Sequence, residues 1–397
     1  MIMTLHICKG FVLFSSKNAS FFTNPHFSLS FSLLFFSSST KKQAKNAPAV
    51  SDFLLHKHKF SLETVSQVSS VLNRVKSLEK SDSILQFLKE SGFSKTQLEK
   101  VVKTQPGLLS ASIDNTIKPK IKIFQDLGFS ANDIAEIISN DPVILHRSAD
   151  KRFIPSLSVL KSLLGSSAEV AKVLKISGWF LKNDLEKTMV PNIEFIKSCG
   201  VGMEQIIKHI YSFPRFLLHS PESIKKFVKT VDEMGVCRSS KMFIHAVRVV
   251  SSMSDQNLEI KLKLFRDLGF SEYEILEMFR KTPPVFAVSE RKLKKVMEVL
   301  LATGKYDVSC IFNSPTSFIC SVENKLKPRI QVLSILESRN LIEKWPSLAT
   351  MTRMTEISFF EKFVYPFLNE VGEVYMANNT ITAKRSRKLK DQIKKEP

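Results

Sequence analysis

The chain is short of the residues on which catalysis, metal capture and disulfide bracing depend. Its 5 cysteines, Cys8, Cys199, Cys237, Cys310 and Cys320, are odd in number and scattered. None is spaced as a zinc knuckle or a redox pair, so they read as buried thiols in a reducing compartment. No His-Glu-x-x-His, Gly-x-Ser-x-Gly or glycine-rich phosphate loop occurs, and the chain reads as non-enzymatic, with no catalytic residue, metal or cofactor. His56 and His58 lie close together, but no Cys or carboxylate beside them completes a metal set. The only 2 tryptophans, Trp179 and Trp345, read as core or cap residues.

Long apolar runs are missing too. Phe27 to Phe36 is too short and too rich in serine for a membrane span. No acidic residue precedes Asp52, and that leader carries Lys9, Lys17, Lys41, Lys42 and Lys45 among many Ser and Phe. Residues 1–50 therefore read as an organelle transit peptide, cut between Ser37 and Ser51, with a secretory signal as the alternative. The absence of arginine there leaves the chloroplast open beside the mitochondrion, which is the expected destination.

Glycine is scarce as well, 12 in all, and seven of these keep a period. Gly92, Gly128, Gly165, Gly200, Gly235, Gly269 and Gly304 are separated by 36, 37, 35, 35, 34 and 35 residues. A fixed interval of this size marks a repeat array, in which each unit buries its apolar face against its neighbours. A proline follows 14 residues after four of the glycines, at Pro106, Pro142, Pro214 and Pro283, while Gly304 meets Pro315 after 11. A third mark stands at Pro119, Pro155, Pro191 and Pro328.

These marks punctuate helices. Ile121, Ile123, Phe124 and Leu127 run at helical spacing into Gly128, a residue suited to a left-handed C-terminal cap, and Pro119 suits the first helical turn. Ser94, Ser130 and Ser271 open second helices, with Gln97, Asp133 and Glu274 three residues on, each resembling a capping box. Behind them the apolar stripe falls at Leu98, Val101 and Val102, at Ile134, Ile137 and Ile138, and at Ile275, Met278 and Phe279. His209 replaces an apolar residue in one such stripe and is expected to be hydrogen-bonded and half-buried. The pairs Leu108 and Leu109, Ile144 and Leu145, Phe216 and Leu217, and Val285 and Phe286 predict a short third helical turn after each proline. Gly178 and Trp179, and Val249, mark units whose proline has been lost.

The predicted fold is all-α: an α-solenoid superhelix of about seven to eight two-to-three-helix repeats of roughly 35 residues. The expected organisation is a cap or linker over 51–82, the array over 83–338, a C-terminal cap over 339–376 around Phe359, Phe360, Phe363, Tyr365 and Phe367, and a basic disordered tail over 377–397. Of the formal charge of +20, leader and tail each carry +5, which leaves +10 on the body. A basic body without enzyme motifs points to a polyanion.

The grammar of Asp126 to Ser130 and Asp267 to Ser271, both Asp-Leu-Gly-Phe-Ser, followed by Asp141-Pro142 and Thr282-Pro283, resembles the mitochondrial transcription termination factor family, and the plant organellar type within it. The resemblance covers about Ser83 to Phe367. It implies a curved array whose basic inner face follows the backbone of double-stranded DNA or structured RNA, acting in transcription termination or initiation, or in group II intron splicing. The implied partners are organellar DNA or RNA, with splicing or transcription proteins beside them, and neither a membrane nor a small-molecule substrate. The alternative is a protein-binding scaffold in an organellar assembly.

Candidate phosphate contacts lie after the proline slots and at the helix starts that follow: Arg147, Lys151 and Arg152; Arg215; Arg280 and Lys281; Arg291, Lys292, Lys294 and Lys295; Lys325, Lys327 and Arg329. Arg147, Arg215, Arg248 and Arg280 occupy comparable regions of their units, and their planar forks suit guanine O6 and N7.

Overall fold

The computed structural model describes residues 47–379 apart from 73, 74 and 76. The leader up to residue 46 and the tail from residue 380 lie outside the described residues, as does the estimated cleavage region up to that point. Among the described residues every regular element is helical and no strand occurs. The protein is an all-α helical-repeat solenoid. No helix among these residues is long and apolar enough to cross a membrane.

The seven periodic glycines are the only glycines among the described residues with positive φ, between +63° and +97°. L-residues avoid that region because Cβ crowds the following carbonyl. Each glycine ends the first helix of a unit. After Lys118–Asp126, the N–H of Gly128 donates to Gln125 O at 2.9 Å and that of Phe129 to Phe124 O at 3.0 Å, and the same pair of hydrogen bonds closes at Gly92, Gly200, Gly235 and Gly269. This Schellman pairing brings an apolar residue back over the helix it has just left. Phe93, Phe129, Val201, Val236 and Phe270 are all buried there.

Second helices follow at Lys95–Thr104, Ala131–Asn140, Ser167–Ile176, Met203–Ser212, Phe243–Ser251, Glu272–Lys281 and Val308–Asn313. The capping box is complete at Ser94 with Gln97 and at Ser271 with Glu274. At Ser130 the cap forms but the reciprocal bond does not: Asp133, one methylene shorter, takes the Ser130 hydroxyl at 2.6 Å and Lys175 at 2.7 Å. Beyond the proline slot short 3₁₀ turns appear at Pro106–Ser110, Pro142–His146, Phe216–Leu218, Pro283–Ala287 and Pro315–Ile319, and also at Gly178–Leu181 where the proline is missing. The four turns with a predicted apolar pair, Leu108 and Leu109, Ile144 and Leu145, Phe216 and Leu217, and Val285 and Phe286, bury it. The Val249 unit differs, because with no proline to stop it Phe243–Ser251 runs through the slot as α-helix.

Pro119, Pro155 and Pro328 stand at the second position of Lys118–Asp126, Ile154–Leu164 and Lys327–Ser338, in the first turn as expected. A wide turn of i→i+5 bonds precedes each, closed by Ile117 N to Ser112 O, Phe153 N to Ser148 O and Leu326 N to Ser321 O, and capped by the serine hydroxyl. Proline cannot donate to the carbonyl four residues back, and widening the turn accommodates it. The carbonyl freed in the first case, Asn115 O, receives the Nζ of buried Lys120 at 3.5 Å.

The units are also stapled internally. Ser156, Asn192, Lys261, Lys292 and Lys325 each donate from the first helix, or its opening turn, to the carbonyl 27 residues on, at 2.5 to 3.3 Å. Those carbonyls, of Asn183, His219, Val288, Ile319 and Thr352, lie at or just past the end of a short helix, where no further backbone donor arrives. Second helices stack in succession from Leu62–Leu72 through Lys95–Thr104, Ala131–Asn140 and Ser167–Ile176 to Met203–Ser212, and the buried apolar residues form one continuous core.

That core already includes Val50 and Leu54 of the helix Ala47–His56. At the other end Leu348–Arg353, Glu356–Phe363 and Leu368–Asn379 cover the last unit, with Phe359, Phe360 and Phe363 buried and Tyr365 exposed.

Candidate nucleic-acid interface

At the proline-slot end of five consecutive units stands one cation each: Arg147, Lys182, Arg215, Arg248 and Lys281, at intervals of 35, 33, 33 and 33 residues. Their offsets from the glycine that ends each unit's first helix fall from 19 to 12 residues, so they cluster at one end of successive units without repeating a single position. Lys182 was missing from the sequence-based candidates, although its distance from Arg147 equals the repeat period.

Aromatic rings hold four of the five. Lys182 Nζ lies 4.5 Å and Arg215 Cζ 4.6 Å from the centroid of Trp179. Arg248 Cζ lies 4.0 Å from the ring of Phe213, and Lys281 Nζ 5.5 Å from that of Phe312. A cation over a ring keeps its outward N–H groups while losing rotamer freedom, so the charge is positioned without being neutralised. Trp179, expected as a core or cap residue, is 38% exposed. Two cations pack on it where other units carry proline.

Carboxylates modulate the series. Asp141 binds Lys182 at 2.5 Å. It can do so because Gly178 lacks a side chain, since a Cβ there would come within 2.5 Å of the Asp141 carboxylate. Glu277 pairs with Lys281 at 3.3 Å, and the neighbouring Arg280 and Lys281 hold its carboxyl below the usual range. Arg147 and Arg215 are exposed and make no ion pair among the described residues.

The remaining candidates divide by what already occupies them. Lys151 and Arg291 are exposed with no side-chain partner among the described residues. Arg152 bonds Asp184 at 3.0 Å. Lys294 and Lys295 pair along Glu290–Leu301 with Glu290 and Glu298, and Lys327 pairs with Glu323 in the turn before its helix, contacts that a polyanion can displace because exposed pairs are weak.

Four candidates have structural work instead. Lys292 and Lys325 are internal staples, each spent on a backbone carbonyl. Arg280 donates through Nε to Met234 O at 3.2 Å and through Nη1 to Glu277 at 2.7 Å. Arg329, only 1% exposed, serves the carbonyls of Met351, Met354 and Thr355 and the Glu356 carboxylate. Arg280 lies in the last turn of its helix and reaches back 46 residues. Sequence placed Lys292, Lys325 and Arg329 at helix starts, where charged residues are usually solvated. It gave no sign that a segment 22 to 27 residues later would offer these three a carbonyl.

His209 is more deeply buried than expected, at 4% exposure. Burial depresses its pKa to about 4. His58, set aside as a ligand, bonds Asp82 at 3.0 Å, and no group of three or more metal-capable side chains forms among the described residues. Trp345 donates Nε1–H to Tyr306 Oη at 2.8 Å.

No curated protein matches the chain. The family model described as mTERF matches residues 85–176 and 147–360, which together span the array. With the periodic glycine caps, the proline-slot turns and this match, the chain belongs to the mTERF family, whose proteins regulate organellar gene expression by binding nucleic acid.

Proposed function

We propose that the protein lies along a duplex or a structured RNA of the mitochondrion, with its five-cation series on successive phosphates, and so blocks or positions the machinery of transcription or group II intron splicing. The observation that carries this reading is the recurrence of one cation per unit from Arg147 to Lys281, four of them on aromatic rings. Regular, ring-held charges favour backbone contact over base readout, so affinity is a sum of weak phosphate terms with strong salt dependence. The chloroplast is the alternative compartment.

Crosslinking in intact organelles, with bound RNA and DNA sequenced in parallel, tests the reading together with a salt titration of the purified full-length chain. Enrichment on an intron assigns splicing, and a discrete DNA footprint assigns transcription. Absence of both, with a salt-insensitive protein partner, replaces the reading with a scaffold.

A further inference from the structure

Between the fourth and fifth units the stack contains a polar cluster that packing does not explain. The rings of His209, on Met203–Ser212, and His245, on Phe243–Ser251, lie 4.7 Å apart, centroid to centroid. Arg248 follows His245 by three residues and so shares its helix face. Nδ1 of His209 is 2.8 Å from Gln205 O. A carbonyl only accepts, so Nδ1 carries the proton and Nε2 presents a lone pair. That Nε2 is buried and meets no donor, and Nε of Arg248 is buried and meets no acceptor.

The cluster has no countercharge. The charges acting on His209 are His245 and Arg248, and the one acting on His245 is Arg248. Acidic groups on the packed elements are engaged elsewhere. Glu169 binds Lys172 and Tyr211, Glu204 binds Lys208, and Asp232 binds Arg238. Glu233 lies 3.9 Å from Lys229, while Glu222 and Lys225 are exposed on the surface of Pro221–Glu233. Lys226 is drawn to Asp255 and Lys175 to Asp133. The turn Pro283–Ala287, packed on the other side, carries no titratable residue. A half-buried guanidinium and two imidazoles, one of them buried, without a carboxylate form an arrangement suited to an incoming anion.

We propose that His245 and Arg248 form an oxyanion site for a phosphate group, with His209 as the positioning residue behind them. Both contacting residues are half-buried, and of the Arg248 side-chain nitrogens only Nε is sealed from solvent, so a phosphate meets the outer Nη groups without opening the core. Binding recruits a proton to His245, which then carries two N–H donors, one for the phosphate and one for the lone pair of His209 Nε2. The phosphate supplies the Arg248 Nη groups with an acceptor that no described residue offers them. Because Arg248 is the fourth member of the cation series, the source is a phosphodiester of the nucleic-acid backbone. This part rests on the function proposed above, and a free phosphate offers the same chemistry.

The test measures duplex affinity of the full-length chain by fluorescence anisotropy at about pH 6 and about pH 8 at constant ionic strength. It also measures the melting temperature in inorganic phosphate against chloride of equal ionic strength. Wild-type protein binds the duplex about fivefold to tenfold more tightly at the lower pH. His245→Gln and His209→Leu flatten that dependence, whereas His209→Gln, which keeps an acceptor, restores part of it. Arg248→Gln weakens binding at both pH values and lowers the salt slope by about one. Circular dichroism confirms that each variant is folded.

Inorganic phosphate raises the wild-type melting temperature but not that of Arg248→Gln. If it does so while no duplex binds, the site stands and the nucleic-acid reading falls. If the duplex binds with no pH dependence and Arg248→Gln keeps the wild-type slope, the site is overturned and the nucleic-acid reading survives.

Discussion

The guanidinium of Arg329 donates to the carbonyl oxygen of Met351 at 2.7 Å from a position only 1% exposed, with its Cζ 4.6 Å from the ring of Phe359. The same group serves Met354 O, Thr355 O and Glu356, and so ties the opening of Lys327–Ser338 to two helices of the C-terminal cover. Arg329→Met removes all of these donors and strands buried carbonyls and a carboxylate. The expected loss is about 3–5 kcal/mol, read by urea denaturation, with protease cleavage rising first between 339 and 379. Arg329→Lys, which cannot fork, recovers only part of it.

The glycine period makes a narrower prediction. At Gly128 φ is +82° and a Cβ would meet nothing within 4 Å, so only backbone conformation resists substitution. Gly128→Ala should cost about 1–2 kcal/mol. Gly107, which lies in a 3₁₀ turn with ordinary φ, should accept alanine with little change. Equal losses at both positions would disprove the role given to the left-handed caps.

These two cases mark where sequence was legible and where it was not. The seven glycines, the serine caps and the apolar pairs after each proline act through their own backbone or through a neighbour one turn away, so a single repeat displays their purpose. Lys292 and Lys325 act across 27 residues, and Arg329 across 22 to 27. A cation facing solvent and a cation spent on a distant carbonyl look alike in sequence. Lys182 was overlooked for a related reason: its unit lacks the proline that served as the ruler, while Trp179 in that slot gives Lys182 its place.

Stability should depend on pH through His209. Burial lowers its pKa to about 4, against 6.5 for the free side chain, so the folded state favours the neutral ring. Its contribution is fully present above pH 6.5, is lost as pH falls toward 4, and levels off below that. The shift corresponds to about 3 kcal/mol. His219 and His245, also depressed by burial, add in the same direction. Urea titrations of wild type and His209→Leu at matched pH should show a shallower decline in the variant. A parallel decline would mean that His209 does not set the slope.

The cation series and the staples separate two effects that a charge count would merge. Arg147 and Arg215 are exposed and unpaired with any carboxylate among the described residues, whereas Lys261 and Lys292 hold carbonyls 27 residues away at 2.6 and 2.8 Å. All four substitutions to glutamine remove one positive charge. Arg147→Gln and Arg215→Gln should each lower the slope of log affinity against log salt by about one, with melting temperature unchanged. Lys261→Gln and Lys292→Gln should lower the melting temperature, because the shorter amide leaves a turn carbonyl without its donor, and the salt slope should stay at its wild-type value. Anisotropy titrations over a salt series, paired with thermal melts of the same samples, read both quantities at once. If Lys292→Gln lowers the slope as much as Arg215→Gln does, the lysine is a phosphate contact and its carbonyl bond gives way in the complex.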